Sequence, residues 1–138
     1  YGSLVRFALA YSTSRYAVMV SPYGEDDIIN INKMLADIRN GAQVVQATRY
    51  SLSEDSKTVR TRFRIYERIY TFLIKFITGY NISDCTYGFK MFDRVFIQAL
   101  GLKQNGISIS PEITLKGLLA GGKVEFIPSV IKPKHVGA

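Results

Sequence analysis

The sequence predicts an α/β fold, in which helices form layers around a mostly parallel or mixed sheet. Short apolar runs that end in turn residues alternate along the chain with segments whose apolar residues recur at helical spacing. The composition is that of a globular domain, because 47% of the 138 residues are apolar and 21% are charged. This length suits one domain, and no repeat, low-complexity tract or linker divides it.

Each element of the first half has its own local signal. Residues 16–20 form a continuous apolar run closed by Ser-Pro-Tyr-Gly, which favours a fully buried strand. Asp26 or Asp27 is a suitable cap for the next helix, because a carboxylate there accepts hydrogen bonds from free backbone amides. The elements predicted here are a helix over 4–11, a strand over 16–20, a helix from 26 or 27 to about 39, and a strand over 42–48.

The second half begins with a polar loop and a long amphipathic helix that Gly79 ends. Asp93 is expected to open a short helix. Ser110, followed by Pro111 and Glu112, predicts the start of another, with the serine as cap and the glutamate favourable to the helix dipole. The elements predicted here are helices over 58–78, from 93 to about 100 and from 110 to about 120, and strands over 87–92 and 123–128.

The charge balance limits the classes of function. Eighteen Lys and Arg against eleven Asp and Glu give a net charge of +7, which favours anionic partners such as phosphates or acidic lipids. With one cysteine and one histidine, the chain forms no internal disulfide and no Cys/His zinc site. Its longest uncharged stretches, 16–24 and 40–48, are far shorter than the about twenty apolar residues of a spanning helix. Nucleic acid is not expected as a partner, because the positive net charge is the sole feature of the sequence that favours one.

Three loop segments of the predicted sheet are expected to meet at one rim. Ligands of open α/β sheets gather beyond the carboxyl ends of the strands. The segments are 21–27, 48–50 and a loop flanking the 87–92 strand, and they bring carboxylates, Arg49 and Asp84 to that rim. Phosphates need positive charge, and a metal that bridges phosphates needs one or two carboxylates, so a phosphate-bearing ligand fits this rim.

Five motifs, in order, resemble the second half of a family 2 glycosyltransferase of GT-A fold, closest to the dolichyl-phosphate mannose synthase-like enzymes. Each motif is weak alone, but their order and spacing match from about residue 4 to residue 134. The motifs are Ala-Thr-Arg-Tyr at 47–50, the arginine-rich helix, Asp-Cys-Thr-Tyr-Gly-Phe-Lys at 84–90, Ser-Pro-Glu at 110–112, and Gly-Lys-Val-Glu-Phe-Ile-Pro at 122–128.

The resemblance implies transfer of a sugar from a nucleotide-diphosphate sugar to a lipid phosphate or similar acceptor, with inversion. It implies a phosphate-contacting role for Arg49, and a second such role for Arg60 or Arg64, between which the spacing does not decide. Asp84 and Glu112 match carboxylates that the family holds near the acceptor, so they are the candidate catalytic residues. Asp84 is equally interpreted as a turn-forming residue.

The resemblance also implies a divalent metal, Mg²⁺ or Mn²⁺, but the chain departs from the family at that position. Where GT-A enzymes carry Asp-x-Asp, this sequence has Ser21, Pro22 and Tyr23. The nearest candidate ligands are Asp26 and Asp27. Helix capping is the favoured interpretation of this acidic cluster, with metal binding as the alternative.

Residues 1–138 are therefore interpreted as a single partial GT-A-like domain, whose nucleotide-binding half would precede the first residue. An incomplete sheet would expose an edge, which predicts a homo-oligomer. The expected location is the cytoplasm, at the inner face of a membrane. The alternative hypothesis is a non-catalytic module that binds an anionic membrane surface or a protein partner through its basic face.

Overall fold

The protein has an α/β fold with a mixed sheet, as the sequence predicts. The computed structural model describes residues 1–49, 61–80, 82, 84–130 and 132. Within them lie five helices and four strands. In chain order they are α1 (Gly2–Tyr11), β1 (Tyr16–Met19), α2 (Asn30–Arg39), β2 (Val44–Thr48), α3 (Thr61–Thr78), β3 (Lys90–Asp93), α4 (Arg94–Ala99), α5 (Ile109–Leu119) and β4 (Val124–Pro128).

The strand order is β1-β3-β2-β4, so β3 lies between the first two strands of the chain. β3 runs antiparallel to both neighbours, with Tyr16 opposite Asp93 and Gln46 opposite Lys90. β2 and β4 run parallel. In this described sheet β1 and β4 form the edges, and the expected self-association through an edge stays a prediction.

Helices cover both faces of the sheet, because successive residues of a strand point to opposite sides. In β2, Val45 packs with the α2 side chains, whereas Val44 packs with α4 and α5. In β3, Met91 and Phe92 divide in the same way. The core on the α2 face contains Met34, Ile38, Ala42, Val45, Ala47, Tyr87, Phe89, Met91 and Ile127. The core on the other face contains Leu9, Met19, Val44, Phe92, Ile97, Ile109 and Ile113.

Helix α3 packs through Ile74 onto a third, smaller cluster that contains Ile82 and Cys85. It ends before Gly79, whose φ of 76° is a left-handed conformation that glycine adopts without strain. The predicted first turn, residues 58–60, lies outside the described residues. Among the helices that the structure describes, none combines the length and the apolar character needed to cross a membrane.

Two of the three predicted helix caps are wrong. Helix α2 begins at Asn30, after Ile29, so neither Asp26 nor Asp27 caps it. Helix α5 begins one residue before Ser110, whose hydroxyl donates instead to the Tyr87 carbonyl at 3.0 Å. The Asp93 cap is confirmed, because its carboxylate accepts from the Phe96 amide at 3.1 Å. In the two wrong cases, a side chain that could cap the helix bonds instead to Tyr87, which is distant in the sequence.

Candidate functional site

A buried ion pair joins the end of β2 to the turn that precedes β3. The Asp84 carboxylate, which has no exposed surface, accepts from the Arg49 backbone amide at 2.9 Å and from Arg49 Nε at 2.8 Å. Arg49 Nη2 donates to the second carboxylate oxygen. This two-pronged contact fixes the plane of the guanidinium as well as its position.

Backbone geometry brings Asp84 to this place. Asp84 has a φ of 52°, a left-handed conformation that few residues other than glycine, asparagine and aspartate adopt. Its carbonyl accepts from the Tyr87 amide at 3.1 Å, which closes a turn over 84–87. The sequence interpretations of Asp84 as a turn residue and as a rim residue therefore meet in one side chain.

Arg49 is held on its other sides by the same turn. Its Nη2 donates to Thr86 Oγ1 at 3.2 Å, and its Cζ lies 5.1 Å from the centre of the Tyr87 ring, a cation–π contact. The Arg49 side chain remains 24% exposed. The guanidinium is thus oriented in advance and still reaches the surface.

Tyr87 links this ion pair to the loop after β1. Its hydroxyl donates to Asp26 Oδ1 at 2.6 Å, and the Ser21 amide donates to Asp26 Oδ2 at 2.6 Å. Burial, followed by the hydrogen bond to Asp26, raises the pKa of the Tyr87 hydroxyl well above its ordinary value. Tyr87 therefore stays protonated and donates to the carboxylate throughout the physiological range.

These two loops line an open cavity of about 400 Å³. Ser21 and Asp26 line it from the loop after β1, and Thr86 and Tyr87 line it from the turn before β3. Ser110 contributes from α5. Arg49 contacts two of these lining residues, Thr86 and Tyr87, from behind the cavity lining. The predicted meeting of these three segments at one rim is therefore observed.

The two aspartate carboxylates of the loop after β1 fit a divalent metal poorly. Both Asp26 oxygens accept protein hydrogen bonds, and Asp27 pairs with Lys132 at 2.8 Å. In the part of the chain that the structure describes, no three His, Cys, Asp or Glu side chains are grouped to hold a metal ion. The expectation of Mg²⁺ or Mn²⁺ stays a prediction.

Glu112 lies apart from the cavity. Its carboxylate oxygens accept from the Lys103 and Gln104 amides, each at 2.9 Å, and form an ion pair with Lys116 at 2.7 Å. Partial burial raises the pKa of this carboxyl, but the bonds from Lys116 and the two amides outweigh that effect and leave it below its usual range. Glu112 is thus an ionised anchor for the loop between α4 and α5, and a catalytic role for it stays a prediction.

The second phosphate-contacting arginine is not located. Arg60 lies outside the described residues, and Arg64 belongs to a part of α3 whose side chains are only partly described. Which of the two contacts a phosphate stays a prediction.

The sequence reasoning missed a buried charge beside the site. Lys90 has no exposed surface even though its side chain is charged, and it lies between the buried residues Phe89 and Met91. Its ammonium lies between 2.6 and 3.1 Å from four oxygens, so one of its three N–H groups is shared between two acceptors. These oxygens are Gln46 Oε1, the Cys85 carbonyl, the Ser110 carbonyl and Thr114 Oγ1. The available signal was a lysine inside an apolar strand, opposite a polar glutamine in the neighbouring buried strand.

The site therefore consists of a guanidinium oriented by a buried carboxylate, next to a cavity at the ends of β1 and β2. No protein-family model matches the chain, and no curated protein matches it in sequence. The arrangement of side chains itself is what supports a function.

Proposed function

We propose that the chain is the acceptor-side portion of a family 2-like glycosyltransferase that transfers a sugar from a nucleotide-diphosphate donor to a lipid phosphate. The observation that carries the proposal is the Arg49 guanidinium, which follows β2, is oriented by the buried Asp84 carboxylate, and contacts Thr86 and Tyr87 of the cavity lining. Arginine held in this way suits a diphosphate, because its planar donors match phosphate oxygens.

The proposed step forms a bond between an acceptor phosphate oxygen and the anomeric carbon of the sugar. The bond from that carbon to the diphosphate oxygen breaks, and the nucleotide diphosphate leaves with the electron pair. Positive charge at Arg49 stabilises the negative charge that develops on the leaving group. A phosphate acceptor is largely ionised near neutral pH and needs no proton removed from the attacking oxygen.

This chemistry changes the role that we assign to Asp84. A general base needs an oxygen that can reach the proton it removes. Both Asp84 oxygens are bonded to Arg49, and the side chain is fully buried. In our proposal Asp84 acts through Arg49, as the group that orients it, and no carboxylate is required as a base.

We expect inorganic pyrophosphate, which represents the diphosphate of the donor without its nucleoside, to bind the wild-type chain, and Arg49→Ala to weaken that binding about 10- to 100-fold, the equivalent of one charge-assisted hydrogen bond. Isothermal titration calorimetry measures it. Arg49→Lys keeps the charge without the two-pronged geometry, and we expect it to recover only part of the affinity.

Arg15→Ala is the matched control for this titration. Arg15 precedes β1, at the opposite end of that strand from the cavity, and its exposed side chain pairs with Asp93 at 3.9 Å. Equal affinities in wild type, Arg49→Ala and Arg15→Ala would remove Arg49 from the proposed site.

A second candidate function, docking on an anionic membrane surface, is favoured by helix α3. Large apolar side chains of this helix lie exposed, including Phe72 at 66% and Phe76 at 80%. Arg62, Arg68 and Lys75 on the same helix are exposed and basic. Apolar side chains that insert among lipid tails, flanked by cations that attract acidic head groups, are what an interfacial helix requires. This docking is compatible with a lipid acceptor and with a location at the inner face of a membrane.

We expect the chain to sediment with phosphatidylglycerol-containing vesicles, less so at high salt, and the Phe72→Ser/Phe76→Ser variant to bind at least about tenfold more weakly, since burial of each ring contributes about 1.5–3 kcal/mol. The control is Phe7→Ser/Tyr11→Ser. This variant removes from α1 another exposed pair of aromatic side chains that lie four residues apart in the sequence. Equal binding by both double variants would exclude α3 as the docking element.

A further inference from the structure

Lys90 and Gln46 together hold the turn that carries Asp84. Lys90 Nζ donates to the Cys85 carbonyl at 3.0 Å, and Gln46 Nε2 donates to the Asp84 carbonyl. The two side chains also bond each other, Lys90 Nζ to Gln46 Oε1 at 3.1 Å. Two consecutive carbonyls of the turn are therefore fixed from the interior of the sheet.

The same ammonium is anchored on α5. It donates to the Ser110 carbonyl and to Thr114 Oγ1, each at 2.6 Å, and the Thr114 hydroxyl in turn donates to Gln46 Oε1 at 2.8 Å. A wholly buried cation with four oxygen partners is expensive to desolvate, and well-packed apolar residues can fill such a position equally well. The arrangement therefore points to a role beyond packing.

We infer that Lys90 is a positioning residue, whose ammonium holds the Asp84–Cys85 turn and thereby sets the orientation of the Arg49 guanidinium. Aspartate adopts a left-handed φ more readily than most residues, and the bonds from Lys90 and Gln46 to the Cys85 and Asp84 carbonyls fix the turn in that conformation. The meaning of this positioning for phosphate binding rests on the proposed function. The positioning itself is a property of the chain without ligand.

The groups that face Lys90 determine how its charge behaves. Asp84 and Cys85 act from the turn, and Tyr70 reaches Cys85 from α3. Arg49 neutralises the Asp84 carboxylate at short range. Burial lowers the pKa of Lys90 to about 7, and Cys85 and Asp84 oppose that effect. The Lys90 ammonium therefore releases its proton at a lower pH than an exposed lysine does.

The test uses the Arg49 Nε–H signal in NMR spectra of the full chain, assigned by its absence in Arg49→Lys. In wild type this proton is bonded to Asp84 and is expected to exchange slowly with solvent at pH 6.5. In Lys90→Met we expect exchange to be about tenfold faster, because the acceptor is no longer held in register. Lys90→Arg keeps a buried cation and is expected to restore slow exchange.

Two controls separate positioning from a loss of stability. Lys116→Met makes the same substitution on α5, where Lys116 bonds Gly101 and Glu112 and does not contact the turn. Ile113→Val removes a buried methyl group from the core and lowers stability without touching the network. Both are expected to keep the Arg49 signal unchanged. If Lys90→Met does not fold, the isosteric Thr114→Val, which removes one partner of the ammonium, takes its place.

Unchanged exchange in Lys90→Met, or in Thr114→Val where that variant is used, would overturn the inference. Equal acceleration in Ile113→Val, or no restoration in Lys90→Arg, would overturn it as well, because stability or packing would then be the cause. Titration of pyrophosphate tests the proposed function separately. A chain that shows slow Arg49 exchange and does not bind pyrophosphate keeps the positioning role and loses the proposed function.

Discussion

The unfolding free energy of the Asp84→Asn variant is expected to be about 3–5 kcal/mol lower than that of wild type, because the substitution removes one charged partner of a buried ion pair. The fully buried Asp84 carboxylate accepts from three donors of Arg49. Asparagine has nearly the same shape and tolerates a positive φ, so the substitution removes the charge without imposing backbone strain. Urea denaturation of wild type and variant measures the difference.

Asp37→Asn is the matched control for this measurement. Asp37 pairs with Lys33 at 3.8 Å on the surface of α2, where the lysine side chain is 61% exposed. Exposed pairs spaced four residues apart contribute about 0.3–0.5 kcal/mol, so this variant should unfold almost as wild type does. Equal losses in the two variants would mean that the Asp84–Arg49 pair holds neither the turn nor the rim.

The second large effect is a rise in stability with pH between about 7 and 10, at up to about 1.4 kcal/mol per pH unit. Burial lowers the pKa of Lys90 to about 7, whereas the unfolded chain keeps the ordinary lysine value near 10.5. Within this window the unfolded chain binds one more proton than the folded chain. Raising the pH therefore favours the folded state, and the gain is lost as pH falls towards 7.

Tyr87 sets the upper limit of this rise. Its pKa is raised in the folded chain by burial and by the hydrogen bond to Asp26, so above pH 10 the folded chain binds more protons than the unfolded one. Stability should therefore fall again above about pH 10. Urea midpoints measured from pH 6 to 11 give the profile. In Lys90→Met the rise between pH 7 and 10 should disappear while the fall above pH 10 remains, and an unchanged rise would assign it to another group.

Much of the fold follows from the spacing of apolar residues. Strands β1 and β2 both lie within the predicted runs, and β2 is buried at every residue. The predicted full burial of residues 16–20 is wrong, because β1 is an edge of the described sheet, with Met19 buried but Val18 and Val20 exposed. The caps were harder to predict. Asp26 and Ser110 have the right chemistry for a helix start, but Tyr87 offers each a partner from a distant segment, and no local pattern contains that information.

The candidate site, like the fold, could be predicted from the sequence only in part. Arg49 and Asp84 were expected at one rim because both lie next to predicted strands, and their pairing confirms the rim. Their mutual engagement was not predictable, since it depends on the left-handed backbone at Asp84. Lys90 was missed because a lysine in an apolar strand indicates a buried charge only weakly, and its partners on β2 and α5 lie far from it in the sequence.

The position of β3 in the sheet has a consequence for the order of folding. Strands β1 and β2 do not pair with each other, because β3 lies between them and bonds to both. β1 therefore cannot join β2 in one sheet until residues 90–93 have paired with both, and such pairing between segments distant in the sequence is in general a slow step of folding. The turn that carries Asp84 leads directly into β3, so one event closes the sheet and pairs Arg49 with its carboxylate. A folding intermediate that lacks β3 would have neither, so the proposed binding of an anion at Arg49 would report that β1, β3 and β2 have joined.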